Sequence, residues 1–276
     1  MRLGFIGLGV MGLPMCNNLA RVSGKPVASY DVRGGGTARS VREVSERADI
    51  IFLSLPGEPQ IREVVEDISA SRILVDCSTA PVALARELAQ RFARFADAPV
   101  ARTRQAAVEG TLSITVGCSE SLFPEIEPLL RTMASDVTHC GPPGAGQAVK
   151  LLNNMVLSVT VMALAEAMAV AKASGSVDAR VLFEALAKGS ADSFALRNHG
   201  MKALLPETHP EKAFPVTYMM KDLDYALALA RAAGLDLQGA GTARRLLAET
   251  AALGLGDAYH TAILEAIRTH HEKPER

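Results

Sequence analysis

The chain has 276 residues, a formal net charge of −1, 49 % hydrophobic and 21 % charged residues. That is room for about two domains, with the balance of an ordinary globular protein. A charge so near zero supplies no basic field for nucleic acid or an anionic membrane, and a chain with no Trp, 4 Tyr and 8 Phe has little on which to stack single-stranded bases.

The apolar runs are short and interrupted by polar residues, which argues against a bilayer span. The first seven residues, Met-Arg-Leu-Gly-Phe-Ile-Gly, lack the sustained apolar core and cleavage site of a signal peptide and read as a strand. Cys16, Cys77, Cys118 and Cys140 are scattered without paired spacing. Neither a disulfide framework nor a metal site is expected, and a reducing cytoplasm is. His270-His271 lies in a charged tail and reads as solvated.

Arg2 to Ile6 is an apolar run suited to a buried strand. It leads into Gly7-Leu8-Gly9-Val10-Met11-Gly12, a full G-x-G-x-x-G, and then a helical pattern from Pro14 to Arg21. Lys25 to Val32 reads as a second strand, and Asp31 falls 19 residues past Gly12. The first glycine permits a tight turn, the second lets the backbone approach a pyrophosphate, and the third lets helix and strand pack closely. The helix N-terminus offers N–H groups to the phosphates, and the acid accepts from the ribose hydroxyls. A glycine-rich structural turn would account for the glycines alone; strand, helix and Asp31 in register make this a dinucleotide site. Asp31 favours NAD, because a carboxylate repels a 2′-phosphate. NADP stays possible through Arg33, just past Val32.

Strands are expected at 49–55, 72–76, 94–98 and 112–117, with helices at 37–48, 59–68 and 81–92. This alternation predicts an α/β architecture, a Rossmann-type doubly wound and mostly parallel sheet, over residues 1–146. Ligands sit beyond the carboxyl ends of such strands, which places Leu55-Pro56 and Ser78-Thr79 beside the cofactor. For Ser78 or Thr79 a helix cap is the competing reading. Gly34-Gly35-Gly36 reads as a flexible turn, and the connections at 33–49 and 57–71 are short.

From residue 147 to 276 the pattern is all helical. A long helix over 147–174 is followed by helices at 178–188, 193–204, 218–233, 237–253 and 257–271, with a loop from Pro206 to Pro215. Val149, Leu152, Val156, Val159 and Ala163 form one expected buried stripe of the long helix. Its two apolar sides suggest a homodimer or homotetramer.

At the start of that helix, Gly141 to Asn154 reads Gly-Pro-Pro-Gly-Ala-Gly-Gln-Ala-Val-Lys-Leu-Leu-Asn-Asn. Lys150 and Asn154 are four residues apart and share one face. A surface lysine is the bland alternative. A desolvated lysine beside a cofactor crevice can serve as general acid/base, because burial lowers its pKa.

Five motifs in order make the chain resemble the β-hydroxyacid dehydrogenase family over nearly its whole length. They are Gly4 to Gly12, Asp76-Cys77-Ser78-Thr79-Ala80-Pro81, Asp97-Ala98-Pro99-Val100 running to Gly110-Thr111-Leu112, Gly141 to Asn154, and Lys221-Asp222-Leu223. That family includes 3-hydroxyisobutyrate dehydrogenases, tartronate semialdehyde (2-hydroxy-3-oxopropionate) reductases and sulfolactaldehyde reductases. The resemblance implies hydride transfer between NAD(P) and a small anionic 3-hydroxy acid or its semialdehyde. It makes Lys150 the acid/base, Asn154 its substrate-orienting partner, and Lys221 a lysine near nicotinamide and substrate. Without it, Lys221-Asp222 is an ordinary exposed helical pair.

One stretch departs from the pattern. Where most relatives read Ser-Gly-Gly and hold the substrate carboxylate, this chain has Ala101-Arg102-Thr103. An Arg-Thr pair there is similar to that of sulfolactaldehyde reductases, so Arg102 is a candidate clamp for a larger anion; pairing with a local acid such as Glu109 is the competing reading. Some relatives keep the fold and cofactor site without the lysine and serve as non-catalytic partners, which Lys150 and Asn154 argue against. Imine reductases share the layout but generally carry another residue where Lys150 stands.

Overall fold

A computed structural model describes residues 1–211 and 213–272, apart from the side chains of residues 270–272. The side chains of His270 and His271, read above as solvated, therefore lie outside the described set. The chain divides into two units, Met1–Leu151 and Leu152–Arg276.

The first unit runs β1 (Leu3–Ile6), α1 (Gly12–Ser23), β2 (Val27–Tyr30), α2 (Val41–Arg47), β3 (Ile50–Leu53), α3 (Glu58–Glu66), β4 (Ile73–Asp76), α4 (Val82–Arg91) and β5 (Phe95–Asp97). It continues with β6 (Val100–Ala101), α5 (Arg104–Glu109), β7 (Leu112–Cys118), α6 (Phe123–Leu130), β8 (Ala134–Gly141) and the start of α7 (Ala145–Ser174). Among the described residues, the strands form one sheet ordered β2-β1-β3-β4-β5-β7-β6, with β8 also on β7. Pairs from β2 to β5 are parallel, as is β7 with β8; β7 runs antiparallel to β5 and to β6.

Alternation explains why the sheet is covered on both faces. Leu3, Phe5, Ile50, Phe52, Ile73 and Val75 enter one cluster, while Ile6, Ile51, Leu53 and Leu74 enter the opposite one. Phe5 and Phe52 stack at 6.2 Å between ring centroids. Each such fully buried side chain is worth about 1.5–3 kcal/mol. Side chains of both parities are apolar because helices lie on either side, as in parallel α/β sheets generally.

The expected strands and helices of this unit are present, most with shorter ends, while α1 and β7 run further than expected. The helix expected at 37–48 begins only at Val41, capped by the Ser40 hydroxyl accepting from the Glu43 N–H at 3.1 Å. Residues before it are held by β2 instead: the Thr37 hydroxyl donates to the Val27 carbonyl at 3.1 Å, and the Ala38 N–H to Ser29 at 2.9 Å.

The second unit is helical around its own core of Val161, Met168, Phe183, Leu196, Met219, Leu247 and Leu264. After α7 come α8 (Ala179–Leu186), a π-helical segment Leu196–Leu204, α9 (Val216–Ala232), α10 (Gln238–Thr250) with a π-helical end Ala251–Leu255, a 3-10 turn His260–Ala262 and α11 (Ile263–Glu272). Among the described residues it holds one isolated bridge, Pro215 to Tyr259, and no strand.

Two expectations about α7 need correction. Val149, Leu152, Val156 and Ala163 are exposed and Val159 is half-buried. The buried residues beyond Lys150 include Leu151, Asn154, Ser158, Val161, Ala165, Met168 and Ala171. The helix is apolar on both sides, so periodicity alone selects neither face; packing does. Also, α7 is long and apolar enough to cross a bilayer by length and composition, with mean hydropathy 1.7 in its most apolar window and 44 % of that window buried inside the chain. It nevertheless carries Lys150, Asn153, Asn154 and Glu166, and its Val161–Met168 face is core to the second unit.

Candidate active site

The glycine loop between β1 and α1 is shaped by close approach. A Cβ on Gly12 would lie 1.9 Å from the Gly7 carbonyl oxygen, so no other residue fits without moving the turn. Helix α1 has no side-chain cap at its start, leaving its first N–H groups for a ligand. Asp31, at the end of β2 and nearly buried, accepts from the Leu8 N–H at 2.7 Å and the Arg33 N–H at 2.9 Å. The Arg33 guanidinium also reaches it, Nε to Oδ1 at 3.1 Å. The Arg33 hydrogen bond, ahead of the opposing effect of burial, pulls the Asp31 carboxyl below its ordinary pKa, so it is ionised at neutral pH.

Beside the loop lies a cleft of about 610 Å³, bounded by Leu8, Gly9 and Val10, by Leu13, Pro14 and Asn17 of α1, and by Asp31, Arg33 and Gly34. A glycine cradle, uncapped helix N–H groups and an ionised carboxylate at its edge fit a dinucleotide. Arg104 and Val108 of α5 complete the cleft, and neither was read as functional from the sequence. Asn18 of α1 anchors α5 there by donating to the Ala107 and Val108 carbonyls at 2.8 and 3.2 Å. The available signal was the excess of arginines in the departing stretch.

The other sequence-predicted residues of this unit lie elsewhere. Leu55-Pro56 and Ser78-Thr79 follow the carboxyl ends of β3 and β4 but do not line the cleft, and Val32 is exposed. Ser78 is no helix cap: its hydroxyl accepts from the Leu55 N–H at 2.9 Å, whereas α4 begins at Val82 with Pro81 at its cap position and no side-chain cap.

Arg102 has φ +86, the left-handed backbone natural to the glycine of the relatives' pattern. Its guanidinium donates to the Thr111 carbonyl (2.6 Å), the Ser135 hydroxyl (2.8 Å) and the Asp136 carboxylate (2.6 Å). The local acid it pairs with is thus Asp136, not Glu109, which takes Gln105. Ala101 pairs with Ser113 of β7, and the Thr103 hydroxyl caps α5 by accepting from Ala106.

Lys150 is half-buried in the second turn of α7. In the second unit Asn154 is buried, and its amide donates to the Asp222 carboxylate at 2.7 Å and accepts from Asn153 at 3.1 Å. Asp222 is buried rather than exposed. Its second oxygen is 3.2 Å from the Lys221 ammonium, near enough for an ion pair but not aligned as a hydrogen bond. Lys221 also stands over the rings of Tyr218 and Tyr225, 5.7 and 5.4 Å from their centroids. No cluster of three or more metal-ligating side chains occurs among the described residues.

A doubly wound sheet with this loop and cleft defines a dinucleotide-binding protein, and the comparisons with known proteins make it an NAD(P)-dependent oxidoreductase. Residues 2–141 match the family described as the NAD binding domain of 6-phosphogluconate dehydrogenase, and residues 144–267 the one described as NAD-binding of NADP-dependent 3-hydroxyisobutyrate dehydrogenase. The chain is 33 % identical to 2-hydroxy-3-oxopropionate reductase of Escherichia coli, over 97 % of both chains. It is 33 % identical to mitochondrial 3-hydroxyisobutyrate dehydrogenase of Mus musculus, over 81 % of this chain and 74 % of that one. A Mycobacterium tuberculosis 3-hydroxyisobutyrate dehydrogenase structure with L-serine superposes with TM-score 0.87 at 30 % identity, covering 97 % of this chain and all of that one. The chain belongs to the β-hydroxyacid dehydrogenase family and is an NAD(P)-dependent hydroxyacid dehydrogenase.

Proposed function

We propose that the chain transfers a hydride between NAD(P) and a small anionic 3-hydroxy acid or the matching semialdehyde, with Lys150 as general acid/base. The observation that carries the reading is the start of α7: Lys150 stands one turn before Asn154, whose amide is oriented by a buried carboxylate. A bound dinucleotide supplies the hydride acceptor or donor. Lys150 takes the hydroxyl proton in oxidation and returns it to the carbonyl oxygen in reduction. Asn154 retains an N–H for the substrate oxygen, and its bond to Asp222 fixes the direction of that N–H. Lys221 and the Ala101–Thr103 turn are assigned to the acid group, and Lys221 also to the nicotinamide end of the cofactor. The reductase of E. coli and the dehydrogenase of Mus musculus are named for short hydroxy acids of this class, which supports the substrate assignment.

NAD is the proposed form of the cofactor. The ionised Asp31 at the cleft edge accepts ribose hydroxyls and repels a 2′-phosphate. Leu55-Pro56 and Ser78-Thr79 are assigned to its nicotinamide side. Arg104 supplies a cation for a cofactor phosphate; among the described residues its guanidinium has no hydrogen bond or ion pair. The chain works as a homodimer or homotetramer, which the exposed apolar side of α7 favours, in a reducing cytoplasm suited to its free thiols, without nucleic acid or membrane partners. A sulfonate-selective reading through Arg102 is weaker, because that guanidinium is held by three acceptors.

The test is a turnover screen of short 3-hydroxy acids and semialdehydes, with sulfonate and phosphonate aldehydes alongside, using NAD and NADP. The proposal expects the highest kcat/KM for a carboxylate substrate with NAD. A preference for the sulfonate would transfer the assignment to the Arg102 reading, and no turnover with any pair would end it.

A further inference from the structure

Asp97 ends β5 and is wholly buried. One carboxylate oxygen accepts from the Gly144 N–H at 2.6 Å and the other from the Gln147 N–H at 2.7 Å. These N–H groups flank the start of α7, where no residue of the helix can satisfy them. A carboxylate there also faces the positive end of a 30-residue helix.

Gln147 is equally buried, and its side chain reaches the other way. Its oxygen accepts from the Ala80 N–H at 3.0 Å, and its nitrogen donates to the Ser78 carbonyl at 2.7 Å. Ser78 in turn takes the Leu55 N–H on its hydroxyl. An unbroken polar path therefore runs from Leu55 through Ser78 and Gln147 to Asp97. The packing leaves it no slack: a Cβ on Gly146 would lie 2.5 Å from the Thr115 carbonyl oxygen and 2.8 Å from that of Asp97.

We infer that Asp97 and Gln147 are positioning residues that lock the first turn of α7, and with it Lys150, to the loops following β3 and β4. Gln147 precedes Lys150 by three residues, within one turn, so any tilt or slip at the start of the helix is carried to the Lys150 ammonium. The inference rests on the proposed acid/base role of Lys150.

Burial pushes the Asp97 carboxyl up to about 6, against the opposing effect of the Gly144 and Gln147 N–H groups. A proton there replaces an accepted hydrogen bond with a donor facing N–H groups, so the lock weakens as pH falls through that value. The ionisable groups on the surrounding elements are Asp76 on β4, its partner in register, Arg86 on α4, Cys118 on β7, Cys140 on β8 and Lys150 itself. Both thiols are pushed upward by burial and stay neutral near pH 6.

The test compares full-length Asp97→Asn, Gln147→Met and Lys150→Ala with wild type. It measures kcat, KM, cofactor Kd by nicotinamide fluorescence, the pH profile of kcat, and amide exchange over residues 144–150. Gln147→Met is expected to lower kcat about 10- to 100-fold, the cost of a small misplacement, with cofactor Kd little changed and faster exchange at the helix start. Asp97→Asn is expected to lower kcat and to remove an acid limb near pH 6. If Asp97→Asn does not fold, Gln147→Met decides alone. Folded variants with wild-type kcat and pH profile, even if less heat-stable, overturn the inference. When that occurs with Lys150→Ala inactive, the positioning inference alone has failed. Wild-type turnover in Lys150→Ala removes the acid/base reading, whatever the other two variants do.

Discussion

Arg102 and Arg104 stand two positions apart and do opposite things. The first is tied to Thr111, Ser135 and Asp136; the second borders the cofactor cleft. An arginine committed to three acceptors answers weakly to a passing anion, while an unpartnered one in a cleft answers strongly. Arg104→Ala is expected to weaken cofactor binding about 5- to 30-fold, the loss of one charge-assisted contact, as measured by titrating nicotinamide fluorescence. Arg102→Ala should leave substrate anion preference unchanged in the same panel of aldehydes. A reversed pattern would return Arg102 to the role of clamp. The sequence made both arginines visible as a departure from Ser-Gly-Gly, but not which one is spent. Asp136 is 34 residues further on, and only the β7–β8 pairing brings it to Arg102. Asp97 and Gln147 stand inside two of the motifs, but their bonds span 47 and 67 residues, so the link between them is not legible in the sequence.

At the scale of elements, hydrophobic periodicity located most helices and strands of the sheet. The exceptions share a cause. β6 is two residues long, α5 is six, and α6 contains Pro124 and Pro128, which read as breaks. β8 is largely polar and only partly buried, so it has no alternating pattern to detect.

The second unit holds a cluster equally invisible in sequence. His199 hydrogen-bonds Tyr259, and its ring lies 5.1 Å from that of the fully buried His260. Burial depresses both imidazoles, His199 to about 4 and His260 to about 3, helped by Lys202 for the first and by the neighbouring histidines for the second. Above pH 6.5 these groups are neutral folded or unfolded. Below it the unfolded chain takes up protons that the folded one refuses, so stability is lost as pH falls from about 6.5 towards 4 and 3. The slope reaches about 1.4 kcal/mol per pH unit for each histidine. Urea midpoints measured from pH 7 to 5 should fall, and fall less in His199→Gln. Equal slopes in the two proteins would remove His199 from this account.

Across the whole molecule, the α/β class and the helical second half were legible because a buried sheet and amphipathic helices leave strong periodic traces. The face of α7 was not. Val156, a member of the expected buried stripe, and Val170 are 60 % and 65 % exposed. An unpartnered apolar helix face in a chain of this size is the natural seat of a second copy. Val156→Asp with Val170→Asp is expected to shift sedimentation to the monomer, and an unchanged oligomer would exclude that face.

The central claim is the proton transfer assigned to Lys150, and it is tested most directly by Lys150→Ala. Turnover of the best hydroxy acid and cofactor binding are measured on the same preparation. The account predicts turnover reduced by about 100-fold or more, the usual contribution of a positioned acid/base, with cofactor Kd close to that of wild type. Turnover like that of wild type would contradict it.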